Sequence, residues 1–221
     1  MSCLDIRSRF LKFMEECGAL LIGDFTLKSG RKSPYFVNTG EYKTGRQISR
    51  LGDFYAEMIK ESGEKFDVLF GPAYKGIPLA VITASKLSED GIDVSVSFDR
   101  KERKDHGEGS YIMGHTPKDG DRIAIIEDVT SAGTSIRETR ALIENLGINA
   151  KITALFISID RAEKGTGDLS ATEQIKKEFG INVYSIATAN DIIGYLENVS
   201  TIQNASQYAA KMREYLKEYG V

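Results

Sequence analysis

Apolar side chains at Phe10, Phe13, Met14 and Cys17 fall at i, i+3, i+4 and i+7, and Gly18 follows them. That period gives a helix one apolar stripe, with a glycine to stop it, and predicts that Cys17 is a core thiol. A short apolar stretch from Ala19 to Phe25 leads into the polar turn Lys28-Ser29-Gly30-Arg31, and Tyr35-Phe36-Val37 reads as a short strand. These segments predict a hairpin that caps the molecule and stands apart from its main sheet.

From Thr44 the pattern changes. Ile48, Leu51, Tyr55, Met58 and Ile59 mark one helix face that ends near Gly63. Asp67–Phe70 reads as a short buried strand, residues 71–76 as a turn, Ile77–Leu87 as a helix closed by Gly91, and Ile92–Phe98 as a strand. A polar stretch over 99–109 precedes a strand near Ser110–Met113. Arg122–Ile126 is a strand, 127–134 a loop and Ser135–Leu146 a helix ended by Gly147. Ile152–Ile159 is again a strand, followed by a helix near Thr172–Phe179, a strand near Asn182–Ile186 and two further helical segments. Such alternation predicts an α/β fold with a mostly parallel central sheet flanked by helices. Ligands of such sheets collect at the loops beyond the carboxyl ends of the strands. The expected division is a helix and hood over 1–43 and a core over 44–221, within a single structural domain.

A length of 221 residues is enough to bury a sizeable core. The net charge of −3 argues against a general nucleic-acid or membrane-surface binder. Charges interrupt every apolar run near the N-terminus, which predicts neither signal peptide nor membrane span, and a cytoplasmic enzyme. Cys3, Cys17, His106 and His115 are too scattered for a closed zinc site. Any catalytic metal is then a hard cation held by oxygens.

The most informative segment is RIAIIEDVTSAGTS, Arg122 to Ser135. An apolar strand runs into two adjacent acids, Glu127 and Asp128. Val129, Thr130, Ser131, Ala132, Gly133, Thr134 and Ser135 follow, small and rich in hydroxyls, and then a helix begins. Small residues let the backbone approach a ligand, and the N–H groups opening a helix favour a phosphate. Acids cannot serve the phosphate, but they suit sugar hydroxyls, a cation or a developing positive charge. Phosphate on one side and sugar hydroxyls on the other satisfy both halves.

This stretch resembles the phosphoribosyl pyrophosphate (PRPP) signature of type I phosphoribosyltransferases. Two further segments narrow the resemblance. Arg100 to Gly109 places four cations and His106 within seven residues, then two glycines, and looks like the mobile catalytic loop of orotate phosphoribosyltransferases. Thr26 to Val37 resembles the orotate-contacting hairpin of the same family. The matches fall in the family's order and cover nearly the whole chain.

The resemblance implies the type I phosphoribosyltransferase fold and transfer of ribose 5-phosphate from PRPP to orotate, in UMP biosynthesis. Matched by position, Lys28, Tyr74, Lys75, Arg100, Lys101, Lys104, His106 and the run Glu127 to Ser135 contact PRPP. Lys75, Lys101, Lys104, His106 and Asp128 form the catalytic set. Phe36, Val37, Ser131 and Arg161 frame orotate, with Arg161 clamping its carboxylate. Mg²⁺ would be held mainly by substrate oxygens and water, with no protein ligand set. A homodimer whose loop is shared between subunits is also implied, with no nucleic acid or membrane partner. Glu127 stands where many members have aspartate, Ser131 where many have threonine, and Val37 replaces a frequent phenylalanine. Two rivals share the fold, a regulatory PRPP-binding protein and a transferase for another base. The first has no use for Lys104 and His106; Arg161 and the Lys28–Val37 hairpin speak against the second.

Overall fold

The computed structural model describes residues 5–27, 30–100, 111–130, 133–164 and 167–221. Six strands form the central sheet: β3 (Val68–Gly71), β4 (Ser95–Asp99), β5 (Ile112–Gly114), β6 (Arg122–Ile126), β7 (Lys151–Asp160) and β8 (Asn182–Thr188). Their order is β5-β4-β3-β6-β7-β8, and every neighbouring pair is parallel except β4–β5. The apolar runs along β3, β6 and β7 follow from this, since a strand covered on both faces has no polar side. Successive side chains alternate between two cores. Leu69, Ala124, Ile126 and Phe156 face one cluster, while Phe70, Ile123, Ile125 and Leu155 face the other.

The larger core lies under α1 (Ile6–Glu16), α2 (Gly45–Ser62), α3 (Gly76–Glu89), α6 (Ala189–Asn198) and α7 (Ala205–Tyr219). The smaller lies under α4 (Thr134–Asn145) and α5 (Ala171–Phe179). Local signals start and stop these helices where the sequence places them. Thr44 and Gln47 cap each other's backbone at the start of α2, and Gly63 ends it at φ 66°.

β1 (Leu20–Thr26) and β2 (Lys32–Val37) pair as an antiparallel hairpin outside the six-stranded sheet. Their buried residues nevertheless join the larger core, where Leu20 and Tyr35 pack with Phe10 and Met14 of α1. Tyr195, Ser200 and Thr201 donate hydrogen bonds to Glu15, fastening α1 to the chain around α6.

Two expectations change. Cys17 is half-buried at the C-cap of α1, because the helix ends at Glu16 and the chain turns through Gly18 at φ 72°. The strand expected from Ile92 begins only at Ser95, since the Ile92 N–H bonds the Leu87 carbonyl and completes the stop of α3 around Gly91. Among the described residues no helix is long and apolar enough to cross a membrane.

Candidate active site

β6 delivers Glu127 and Asp128 to the carboxyl edge of the sheet, and the surrounding elements fix their backbone. The Glu127 N–H donates to the Phe156 carbonyl at 2.9 Å, and its carbonyl accepts the Tyr55 hydroxyl of α2 at 2.6 Å. Burial drives the Tyr55 phenol well above its usual range, so it stays a neutral donor. The Asp128 carbonyl accepts from both the N–H and the hydroxyl of Ser158 on β7. Asp128 Oδ1 accepts its neighbour's N–H, that of Val129, at 2.8 Å.

Helix α4 opens at Gly133, whose φ of 66° is the left-handed conformation glycine tolerates. A β-carbon there would stand 3.1 Å from Ile175 Cγ1 and 3.4 Å from Phe179 Cε2. Among the described residues no side chain caps this helix start. The positive end of a 12-residue helix therefore follows the acid pair five residues after Asp128, with half-buried Thr130 and Ser135 and exposed Thr134 on either side of its N-cap.

The turn after β3 approaches from the neighbouring strand. Lys75 Nζ lies 2.8 Å from Asp128 Oδ2 and 2.9 Å from Thr39 Oγ1, and Thr39 donates to Asp128 Oδ2 at 2.6 Å. This triangle lines a cavity of about 150 Å³ whose apolar walls include Tyr42, Ile48, Leu51, Tyr55 and Leu79. Tyr74, one residue before Lys75, is 72% exposed, and Asp99 holds the turn by accepting the Ala73 N–H at 2.5 Å.

Among the residues expected at the base, Phe36 is exposed on β2 beside Phe25, with ring centres 5.7 Å apart, and Val37 is half-buried opposite Leu20. Arg161 follows β7 directly. Its guanidinium carbon lies 4.3 Å from the centre of the Tyr35 ring, and Nη2 is 2.5 Å from Glu163 Oε1 and 3.5 Å from Ser33 Oγ. The expected clamp is thus already held by an internal carboxylate.

Arg100 sits where the β4–β5 pair opens, its N–H bonded to the Tyr111 carbonyl at 2.8 Å. Lys28, Lys101, Lys104, His106, Ser131 and Ala132 lie outside the described residues. Among the described ones, no three His, Cys, Asp or Glu side chains gather as a metal site. His115, the other histidine, bonds Asp121 at 2.9 Å.

Of the expected PRPP residues Lys75 and Asp128 meet directly, and Thr39, Tyr55 and Ser158, which no motif singled out, hold the Glu127–Asp128 segment in place. A hydroxyl near the end of the apolar run of β7 was the one available signal for Ser158. Thr39 and Tyr55 carried none.

Residues 38–185 match the phosphoribosyl transferase domain family. Over 219 residues the chain is 48% identical to an orotate phosphoribosyltransferase of Clostridium beijerinckii, covering 97% of each. It is 47% identical over 217 residues to one of Neisseria meningitidis serogroup C, covering 98% of this chain and 99% of that protein. A crystal structure of the Francisella tularensis orotate phosphoribosyltransferase superposes with a TM-score of 0.84 at 38% identity, covering 96% of this chain and all of that one. An acid pair beside a helix start, a lysine from the neighbouring strand and these full-length likenesses agree: the chain belongs to the orotate phosphoribosyltransferase family of phosphoribosyltransferases.

Proposed function

We propose that the chain transfers the 5-phosphoribosyl group of PRPP to orotate, giving orotidine 5′-phosphate and pyrophosphate in the synthesis of UMP. The meeting of Lys75 with Asp128 carries this reading, because it brings together at the carboxyl edge of the sheet a cation suited to the leaving pyrophosphate and an acid suited to the ribose. The bond from C1′ to the pyrophosphate oxygen breaks as a ring nitrogen of orotate bonds to C1′, and the electron pair leaves with pyrophosphate. The sugar becomes oxocarbenium-like on the way, as in glycoside chemistry. Anionic orotate needs no strong general base, so catalysis is mostly positioning and electrostatics.

The N–H groups opening α4, with Thr130, Thr134 and Ser135, suit the 5-phosphate, and Glu127 and Asp128 suit the ribose hydroxyls and the positive ring. Lys75 would exchange Asp128 for the diphosphate, with Tyr74 and Arg100 beside it. Lys28, Lys101, Lys104, His106, Ser131 and Ala132 are expected to complete this PRPP site. Phe36, Val37, Ser131 and Arg161 would frame orotate. When bound, Mg²⁺ supplies positive charge to the phosphate oxygens. No cluster of protein carboxylates gathers for it among the described residues, which fits magnesium's preference for substrate oxygens and water.

The test mixes the purified protein with PRPP, Mg²⁺ and orotate, uracil or adenine separately. Pyrophosphate release with orotate alone, abolished by a chelator and restored by Mg²⁺, is expected; release with adenine or uracil at a comparable rate overturns the assignment. A homodimer sharing the Arg100–Gly109 loop predicts that Lys104→Ala and Asp128→Ala, each inactive, regain activity when their subunits exchange. Continued inactivity after exchange would exclude the shared site.

A further inference from the structure

Beyond β7 the chain turns through Ala162, at φ 50°, into Glu163. The Glu163 side chain is only 12% exposed, and three groups converge on its carboxylate. Arg161 Nη2 lies at 2.5 Å, the Tyr35 hydroxyl at 3.4 Å and Arg31 Nη1 at 3.8 Å. Arg31 is fixed in turn: it donates to the Lys164 carbonyl at 3.2 Å, and its guanidinium carbon lies 5.1 Å from the Tyr219 ring centre. The backbone of Glu163 is bridged to Gly220, so this carboxylate is anchored from both its side chain and its main chain.

A guanidinium has five N–H donors in one plane. Engaging Nη2 with an anchored carboxylate, over the face of Tyr35, fixes that plane while other donors remain for a second carboxylate. Charge sets the other half of the arrangement. Arg161 and Glu163 alone sum to zero, and Glu163 would repel an incoming anion. Arg31 brings the cluster to a net +1, the complement of one carboxylate.

Resting on the reading that Arg161 receives the orotate carboxylate, we propose that Glu163 is the positioning residue of that subsite and that Arg31 supplies its balancing charge. Glu163 touches no substrate atom in this account. It acts by aiming the Arg161 fork, and Arg31 acts by keeping the aimed fork attractive to an anion.

Steady-state kinetics and thermal unfolding of Arg161→Ala, Glu163→Ala, Glu163→Gln, Arg31→Ala and Arg31→Lys test this. A hydrogen bond to a charged group is worth about 1.5–3 kcal/mol, so loss of the aim is expected to raise KM for orotate about tenfold or more in Glu163→Ala. KM for PRPP should stay within about twofold, since uniform binding of one substrate alone is lost. Glu163→Gln, which keeps the acceptor, should recover most of the orotate affinity. Arg31→Ala should raise KM for orotate, and Arg31→Lys should restore it. If Arg161→Ala raises KM for orotate and Glu163→Ala does not, the positioning role is wrong while the orotate reading stands. If Arg161→Ala leaves KM for orotate unchanged, the orotate reading itself fails. A rise in both KM values alongside a lowered melting temperature in Glu163→Ala and Glu163→Gln would show a structural role only and overturn the proposal.

Discussion

Lys75 Nζ stands 2.8 Å from Asp128 Oδ2, joining the turn after β3 to the loop after β6. Thr39, from the short turn after the hairpin, touches both. Three separate chain segments therefore meet at one acid, and the turn that follows the hairpin takes part in the same hydrogen-bond triangle as the sheet. PRPP would compete for the lysine with phosphates stronger in charge than the carboxylate it leaves.

Lys75→Ala is expected to lower kcat/KM for PRPP by about 10²–10³, the usual cost of one preorganised charge. Its side chain is 66% exposed, so the ion pair contributes little to folding. Chemical denaturation should show a change of no more than about 1 kcal/mol. Activity within about twofold of the parent protein would remove Lys75 from the reaction.

Thr39→Val keeps the shape and deletes the hydroxyl that Asp128 and Lys75 share. With Asp128 less well held, kcat/KM should fall about tenfold, and Thr39→Ser should restore it. Equal kinetics for the valine and serine variants would make the contact incidental.

This triangle shows where sequence stops being informative. Strands β3, β6 and β7 are legible because a strand buried on both faces is written as an apolar run. Glu127 and Asp128 are legible because two acids at the end of such a run have no place in a core. Thr39 reaches Asp128 across 89 positions, and no local pattern records that meeting. Arg161 was legible as a cation beyond β7; its restraint by Glu163 depends on Arg31 and Tyr35 arriving from the hairpin. Ile92 was misread because an apolar residue closing a helix stop looks the same as one opening a strand.

Gly133→Ala should weaken both fold and substrate binding. The left-handed backbone costs a side chain about 1–2 kcal/mol, and the new methyl would press on Ile175. Unfolding free energy should drop by about 1–3 kcal/mol, with a raised KM for PRPP as the start of α4 shifts. An unchanged denaturation midpoint would show that the loop adapts without strain.

Glu15 supplies a pH-dependent share of stability. Burial raises its pKa, but hydrogen bonds from Ser200, Tyr195 and Thr201 outweigh that and hold it below the ordinary 4.5. A depressed folded-state pKa adds stability that is complete above the unfolded value and lost as pH falls through the folded one. Glu15→Gln should therefore cost about 1–2 kcal/mol at pH 7. Its deficit should shrink as pH drops below 4.5 in denaturation series. A deficit independent of pH would assign the effect to packing.

A β-carbon on Gly71 would stand 2.2 Å from the Gly76 carbonyl oxygen, and one on Gly76 2.8 Å from the Gly71 carbonyl carbon. The two ends of the turn bearing Lys75 therefore touch as bare main chain, with no room for a methyl group between them. How far that lysine reaches is set by covalent geometry, whereas Phe36 and Arg161 owe their places to side-chain packing. On the reading proposed above, drift in the hairpin would remodel the choice of base while the turn that bears Lys75 keeps its shape, so the two would be free to evolve at different speeds.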